Sequence, residues 1–92
     1  MVRFVFVASP RASRVSVAGD FNGWDPTRAP LHVVGGSASV WVADVAVGAG
    51  RHLYTFIVNG RDWVADPTAP LAPEDSYGIP NSVLVVGATG AM

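Results

Sequence analysis

Two tryptophans, Trp24 and Trp63, stand where packing between strands explains them least. Trp24 lies in GDFNGWDP, between the turn-forming Gly23 and Asp25-Pro26, and Trp63 follows an Asn-Gly pair in NGRDWVADP and leads toward a proline-rich stretch. A Trp in a polar, Gly-rich loop either plugs the end of a fold or presents a flat ring outward. An outward ring suits a sugar, because the apolar C–H face of a pyranose stacks on the aromatic face while a neighbouring Asn or Asp hydrogen-bonds the hydroxyls. The residues themselves leave both readings open.

Other site chemistry is thin. Only His32 and His52 could act as imidazole bases or ligands. His52 falls on the same strand face as Tyr54, which predicts a hydrogen-bonded structural histidine, and His32 lies in a short edge-like run without an acid at ligand spacing. The seven acidic residues are scattered, mostly at turns; Asp25-Pro26 and Asp66-Pro67 read as turn starters. A glycosidase needs two carboxylates facing each other across a cleft, and no such pair is legible. The segment Gly87-Ala88-Thr89-Gly90 is half of a dinucleotide fingerprint with no helix after it, so no nucleotide cofactor is expected. With no cysteine, disulfides, thiolate metal sites and a Cys nucleophile are all absent. Neither an enzyme nor a cofactor or metal protein is predicted.

The elements that must hold the two tryptophans are strands. Ninety-two residues make one domain, 1–92, and a half-hydrophobic composition with 14% charge excludes a disordered chain. A net charge of −1, with six Arg and no Lys, offers no basic stripe for nucleic acid, and no apolar run approaches the roughly 20 residues of a membrane span. Short β-rich runs separated by Gly, Pro, Asn and Asp at sandwich-like spacing predict strands over 3–8, 14–18, 30–34, 39–47, 51–58, 62–64 and 82–86. Alternation of Phe4, Phe6 and Ala8 against Arg3, Val5 and Val7 makes MVRFVFVA a first strand rather than a targeting segment. Asn59-Gly60 predicts a type I′ hairpin turn, since both central residues need positive φ. Parity places Trp41 and Ala43, and likewise Tyr54 and Phe56, in core rows, with Thr55 on the exposed face of its strand. Residues 66–81, with four prolines, predict a long ordered loop, and the tail GATGAM a frayed end.

In that frame the strings VSVAGDFNGWDP, GRHLYTFIVNGRDWVADP and YGIPNSVLVV closely resemble carbohydrate-binding module family 48. That family of glycogen-binding domains includes the domain of the AMP-activated kinase β subunit and the N-terminal domains of isoamylases and branching enzymes. The resemblance runs from about Phe4 to Val86. It implies an all-β, immunoglobulin-like (early-set) sandwich of about seven strands that binds linear α-1,4-glucans such as glycogen or starch. Residue by residue, it implies that Trp24 and Trp63 are the two stacking platforms. Asn81 would hydrogen-bond sugar hydroxyls, and Tyr77 would sit at the loop tip beside a glucose ring. Phe21, Trp41, Tyr54, Phe56 and Gly60 match scaffold positions. Two departures stand out: Thr55 occupies a position where glucan-binding members often carry Lys, and Ile79 replaces a polar loop residue.

The partners implied are an α-glucan oligosaccharide or polysaccharide and a fused or associated catalytic or regulatory domain. The alternative from another class is a structural or protein-interaction domain that keeps the fold without useful sugar binding. Those two readings differ in the fate of Trp24 and Trp63.

Overall fold

The structure, a computed structural model, describes residues 1–9, 12–36, 39–72 and 81–87. Among these residues there is no helix, and seven strands build two antiparallel sheets: β1 (Val2–Val7), β2 (Val15–Gly19), β3 (His32–Val33), β4 (Val40–Val45), β5 (Gly50–Val58), β6 (Asp62–Val64) and β7 (Ser82–Val86). One sheet has the order β1-β4-β3; the other joins β2, β5 and β6, with β7 also on β5. All seven expected strands are present, and the last two have the expected bounds. The third is cut to two residues because Pro30 and Leu31 pair instead with β2: the Leu31 N–H donates to the Val15 carbonyl, and Pro30 bridges Ser16. The chain thus crosses from one sheet to the other within residues 29–33.

Inward positions alternate as period-two strands require. Phe4 and Phe6 from β1, Trp41 and Ala43 from β4, Val15 and Val17 from β2, and Tyr54 and Phe56 from β5 form one buried cluster between the sheets. Phe56 is its centre, with a ring 4.7 Å from that of Phe6 and edge-on to Phe4 and Tyr54. Burying a large side chain is worth roughly 1.5–3 kcal/mol, so this aromatic group is what holds the sheets face to face.

The long strand β5 organises the rest. Its second half pairs β2 along one edge, while the opposite edge takes β7 at Gly50–Tyr54 and β6 at Phe56–Val58, end to end. The turn between β5 and β6 has Asn59 at φ 57° and Gly60 at φ 70°, and the Arg61 N–H donates to the Val58 carbonyl. That is the expected type I′ geometry.

Between β6 and β7 the chain leaves the sheet and returns. Asp66 ties the exit to the return. Its Oδ2 accepts from the Tyr54 hydroxyl at 2.6 Å, its own N–H donates to Ser82 Oγ at 2.8 Å, and its Oδ1 accepts from the backbone and hydroxyl of Thr68. Residues 70–72 then run back along β7, with Val83 N–H donating to Pro70 and Ala72 N–H to Asn81. Residues 73–80 and 88–92, including the expected loop tip at Tyr77 and the departure at Ile79, lie outside the described residues.

Candidate functional site: the two-tryptophan face

Trp24 is placed by the turn that closes β2. Asn22 folds its side chain back onto the strand: Oδ1 accepts from the Gly19 N–H at 3.0 Å, and Nδ2 donates to the Val17 carbonyl at 3.1 Å. The N–H groups of Asn22 and Trp24 both donate to the Gly19 carbonyl. This closure forces two consecutive left-handed residues, Gly23 at φ 70° and Trp24 at φ 60°. For a bulky L residue such a conformation costs about 1–2 kcal/mol and persists only where neighbouring bonds over-determine it. Just beyond, Asp25 Oδ1 accepts from the N–H and hydroxyl of Thr27, the expected turn start. The same Asp-Pro-Thr device recurs at Asp66–Thr68, so each tryptophan is followed by one capped turn.

Gly19 makes the closure possible. A methyl group there would lie 2.7 Å from the Leu53 carbonyl oxygen and collide with the Phe21 ring. Phe21 in turn stacks on Phe4, so the Trp24 turn is anchored in the aromatic core by its Phe21 side. A second anchor is His52. Its Nδ1 is 2.7 Å from Asp20 Oδ1, its Nε2 is 2.8 Å from the Gly48 carbonyl, and the other Asp20 oxygen accepts from the Leu53 N–H. With acceptors on both sides of the ring, only the imidazolium donates to both, and its pKa is raised chiefly by the Asp20 carboxylate and next by the Gly48 carbonyl. His52 is structural, as its place on the strand predicts.

Trp63 is placed by register. In β6 it pairs directly with Ile57, and Ile57 pairs with Ser16 of β2, so the three share one row on the face turned away from the core. The next row contains Ala18 and Thr55. The side chains of Ala18, Thr55 and Ile57 are fully buried on this face. Trp24 and Trp63 are both half-buried. Neither belongs to the core cluster nor to the half-buried residues packed on it, whereas Trp41 is a core member. Among the described residues neither indole N–H has a hydrogen-bond partner, and neither ring stacks on another aromatic residue.

Thr55 does not stand where the sequence places it. Parity puts it correctly on the face opposite Tyr54 and Phe56, but that face is covered at this point: Thr55 is 0% exposed, and its hydroxyl donates to the Val64 carbonyl at 3.0 Å. The reason is local. Thr55 faces the gap between the end of β6 and the start of β7, and its hydroxyl is bound to the last carbonyl of β6. Thr55 is therefore closed to solvent in this structure. Asn81 is 7% exposed, at the start of β7, with its backbone carbonyl accepting from Ala72. Of the five residues singled out from the sequence, the structure thus leaves Trp24 and Trp63 accessible, closes Thr55 and largely closes Asn81, and does not describe Tyr77. Asn22 was missed, and Asp66 was read only as a turn starter. An Asn two residues before a Trp and an Asp-Pro-Thr repeated after each Trp were the available signals.

Among the described residues no group of three or more His, Cys, Asp or Glu could hold a metal ion, and no helix is long and apolar enough to cross a membrane.

The two sheets define a small β-sandwich of the immunoglobulin-like type. Residues 2–91 match the family described as the glycogen recognition site of AMP-activated protein kinase, and the chain belongs to that family. It is also similar to 1,4-alpha-glucan branching enzymes. It is 42% identical to GlgB of Corynebacterium jeikeium (strain K411) over 72 residues, which is 72% of this chain and 10% of the enzyme. It is 48% identical to GlgB of Burkholderia pseudomallei (strain 668) over 67 residues, 72% of this chain and 9% of the enzyme. The chain thus spans about a tenth of the length of the curated relatives it matches.

Proposed function

We propose that this chain is a single non-catalytic module that binds α-1,4-glucans such as glycogen or starch, with Trp24 and Trp63 as stacking platforms. The observation that carries this reading is the treatment of the three tryptophans. Trp41 is packed between the sheets, while Trp24 and Trp63 lie outside the core with no indole N–H partner among the described residues, and Trp24 is held in a strained backbone conformation. A scaffold needs no ring there. A sugar face needs flat apolar area with nearby donors, and strain maintained by a hydrogen-bonded turn is a mark of a functional position. The glycogen-recognition family and relatives named for action on 1,4-alpha-glucan support the same ligand class. In such relatives the matching region is a tenth of a much larger enzyme, which supports a fused or associated catalytic domain as the natural partner.

A structural or protein-interaction role is favoured by one finding, the closing of Thr55 and Asn81, which removes polar contacts from the face. Retention on insoluble starch or glycogen, released by β-cyclodextrin, separates the two. The glucan reading expects retention and release; passage straight through the matrix supports the structural role.

A further inference from the structure

A groove of about 340 Å³ runs beside β2, bounded by Arg14 and Ser16 on one side and by Pro26, Thr27 and Pro30 on the other. Its position ties it to the tryptophans. Pro26 and Thr27 directly follow the Trp24 turn, and Ser16 ends the row that begins at Trp63 and crosses Ile57. With strands about 4.8 Å apart, the groove lies roughly 10 Å from the backbone of Trp63, across one covered strand. We infer that it is a further glucosyl subsite, which extends the sugar face past β2 and makes binding depend on glucan length.

The lining suits a pyranose. Pro26 and Pro30 give apolar surface, and the hydroxyls of Ser16 and Thr27 stand beside it. The Thr27 hydroxyl donates to Asp25 and keeps its oxygen free to accept, and the Ser16 hydroxyl has no protein partner among the described residues. Arg14 supplies the donors. Its neighbours Arg28 and Arg61 lie beside Asp25 and Asp62, but among the described residues no carboxylate lies within ion-pair distance of Arg14. Its backbone is held on both sides by Asn59. Asn59 Oδ1 accepts from the Arg14 N–H at 3.3 Å, the Asn59 N–H donates to the Arg14 carbonyl, and the guanidinium lies over Gly60, in the space a side chain there would take. A guanidinium with no carboxylate partner among the described residues, above an apolar groove, is a donor set for hydroxyls arriving with a sugar ring.

The inference rests on the glucan reading, and its test keeps the two apart. Affinities for maltotriose, maltopentaose and maltoheptaose are measured by calorimetry for the wild type, Arg14→Gln and Ser16→Ala. The expected result is a wild-type affinity that rises with length, and a ratio of heptaose to triose affinity that drops roughly threefold to tenfold in Arg14→Gln, the range for one hydrogen bond on an open surface. Ser16→Ala should lower the ratio by less. Wild-type binding with the same ratio in all three proteins overturns the subsite and leaves the tryptophan platform intact, whereas absence of binding at every length removes both. Saturable binding of inorganic phosphate that maltoheptaose does not displace would make the groove an anion site and also overturn it.

Discussion

The Tyr54 hydroxyl donates to Asp66 Oδ2 across 2.6 Å inside the sandwich, joining the middle of the longest strand to the chain just after it leaves the sheet. Asp66 is buried and carries Thr68 and Ser82 on its other polar atoms, so this one bond holds both the exit from β6 and the entry to β7. Removing the hydroxyl in Tyr54→Phe leaves a buried carboxylate oxygen without its donor. A loss of about 1.5–3 kcal/mol is expected, read from urea unfolding midpoints. A midpoint within error of the wild type would mean that water replaces the hydroxyl.

The same pair sets an alkaline limit. Burial first, and the Asp66 carboxylate second, raise the Tyr54 pKa above its usual value of about 10. A group whose folded pKa is raised contributes stability that is complete below the unfolded value and is lost as pH rises through the folded one. Stability should therefore fall above about pH 10, and Tyr54→Phe should flatten that part of the curve. Equal alkaline slopes in the two proteins would assign the loss to other groups.

His52 acts in a lower window with the same sign. Its pKa is raised by Asp20 and by the Gly48 carbonyl, so its contribution is complete below about pH 6.5 and declines as pH rises through the folded value. Thermal midpoints should decrease from about pH 6 to about pH 8, and His52→Gln should remove most of that decrease. Because Asp20 is 40% exposed, the effect should shrink in high salt. A flat profile in the wild type would contradict the doubly donating imidazolium.

Thr55 separates packing from binding. Thr55→Val should cost about 1 kcal/mol through the lost hydrogen bond to the Val64 carbonyl. Thr55→Lys should destabilise by several kcal/mol, because an ammonium is forced into a site with no exposure. Circular-dichroism melts measure both. A stable Thr55→Lys protein with tighter glucan binding would restore Thr55 to the sugar face.

Much of this structure was legible in the chain. Strand alternation in MVRFVFVA and in HLYTFIV carried the core rows, and Asn59-Gly60 carried the hairpin, because each is a local steric rule. The failure at Thr55 came from a step that parity cannot make. Parity separates the two faces of a strand but does not say what the chain lays over the outer one; here Thr55 borders the gap where β6 ends and β7 begins. The Asp66 centre was out of reach for a related reason, since it joins Tyr54 and Ser82 at sequence separations of 12 and 16 through side chains rather than through any spacing rule. Trp24 and Trp63 were visible as tryptophans out of place, but whether they plug the fold or face outward depended on where the two loops close.

The most direct measurement compares Trp24→Ala, Trp63→Ala and Trp41→Ala for both denaturant stability and glycogen binding. Stacking on an open face buries little area, so the wild type should bind with a dissociation constant on the order of 0.1–1 mM. Trp41→Ala, which empties a core position, should lose about 3–5 kcal/mol of stability. Trp24→Ala and Trp63→Ala should each lose less than about 2 kcal/mol of stability and yet lose detectable glucan binding, since removing one stack costs roughly 1–2 kcal/mol from a weak start. If instead both variants unfold as readily as Trp41→Ala, or bind glycogen as the wild type does, the two rings are not a sugar platform.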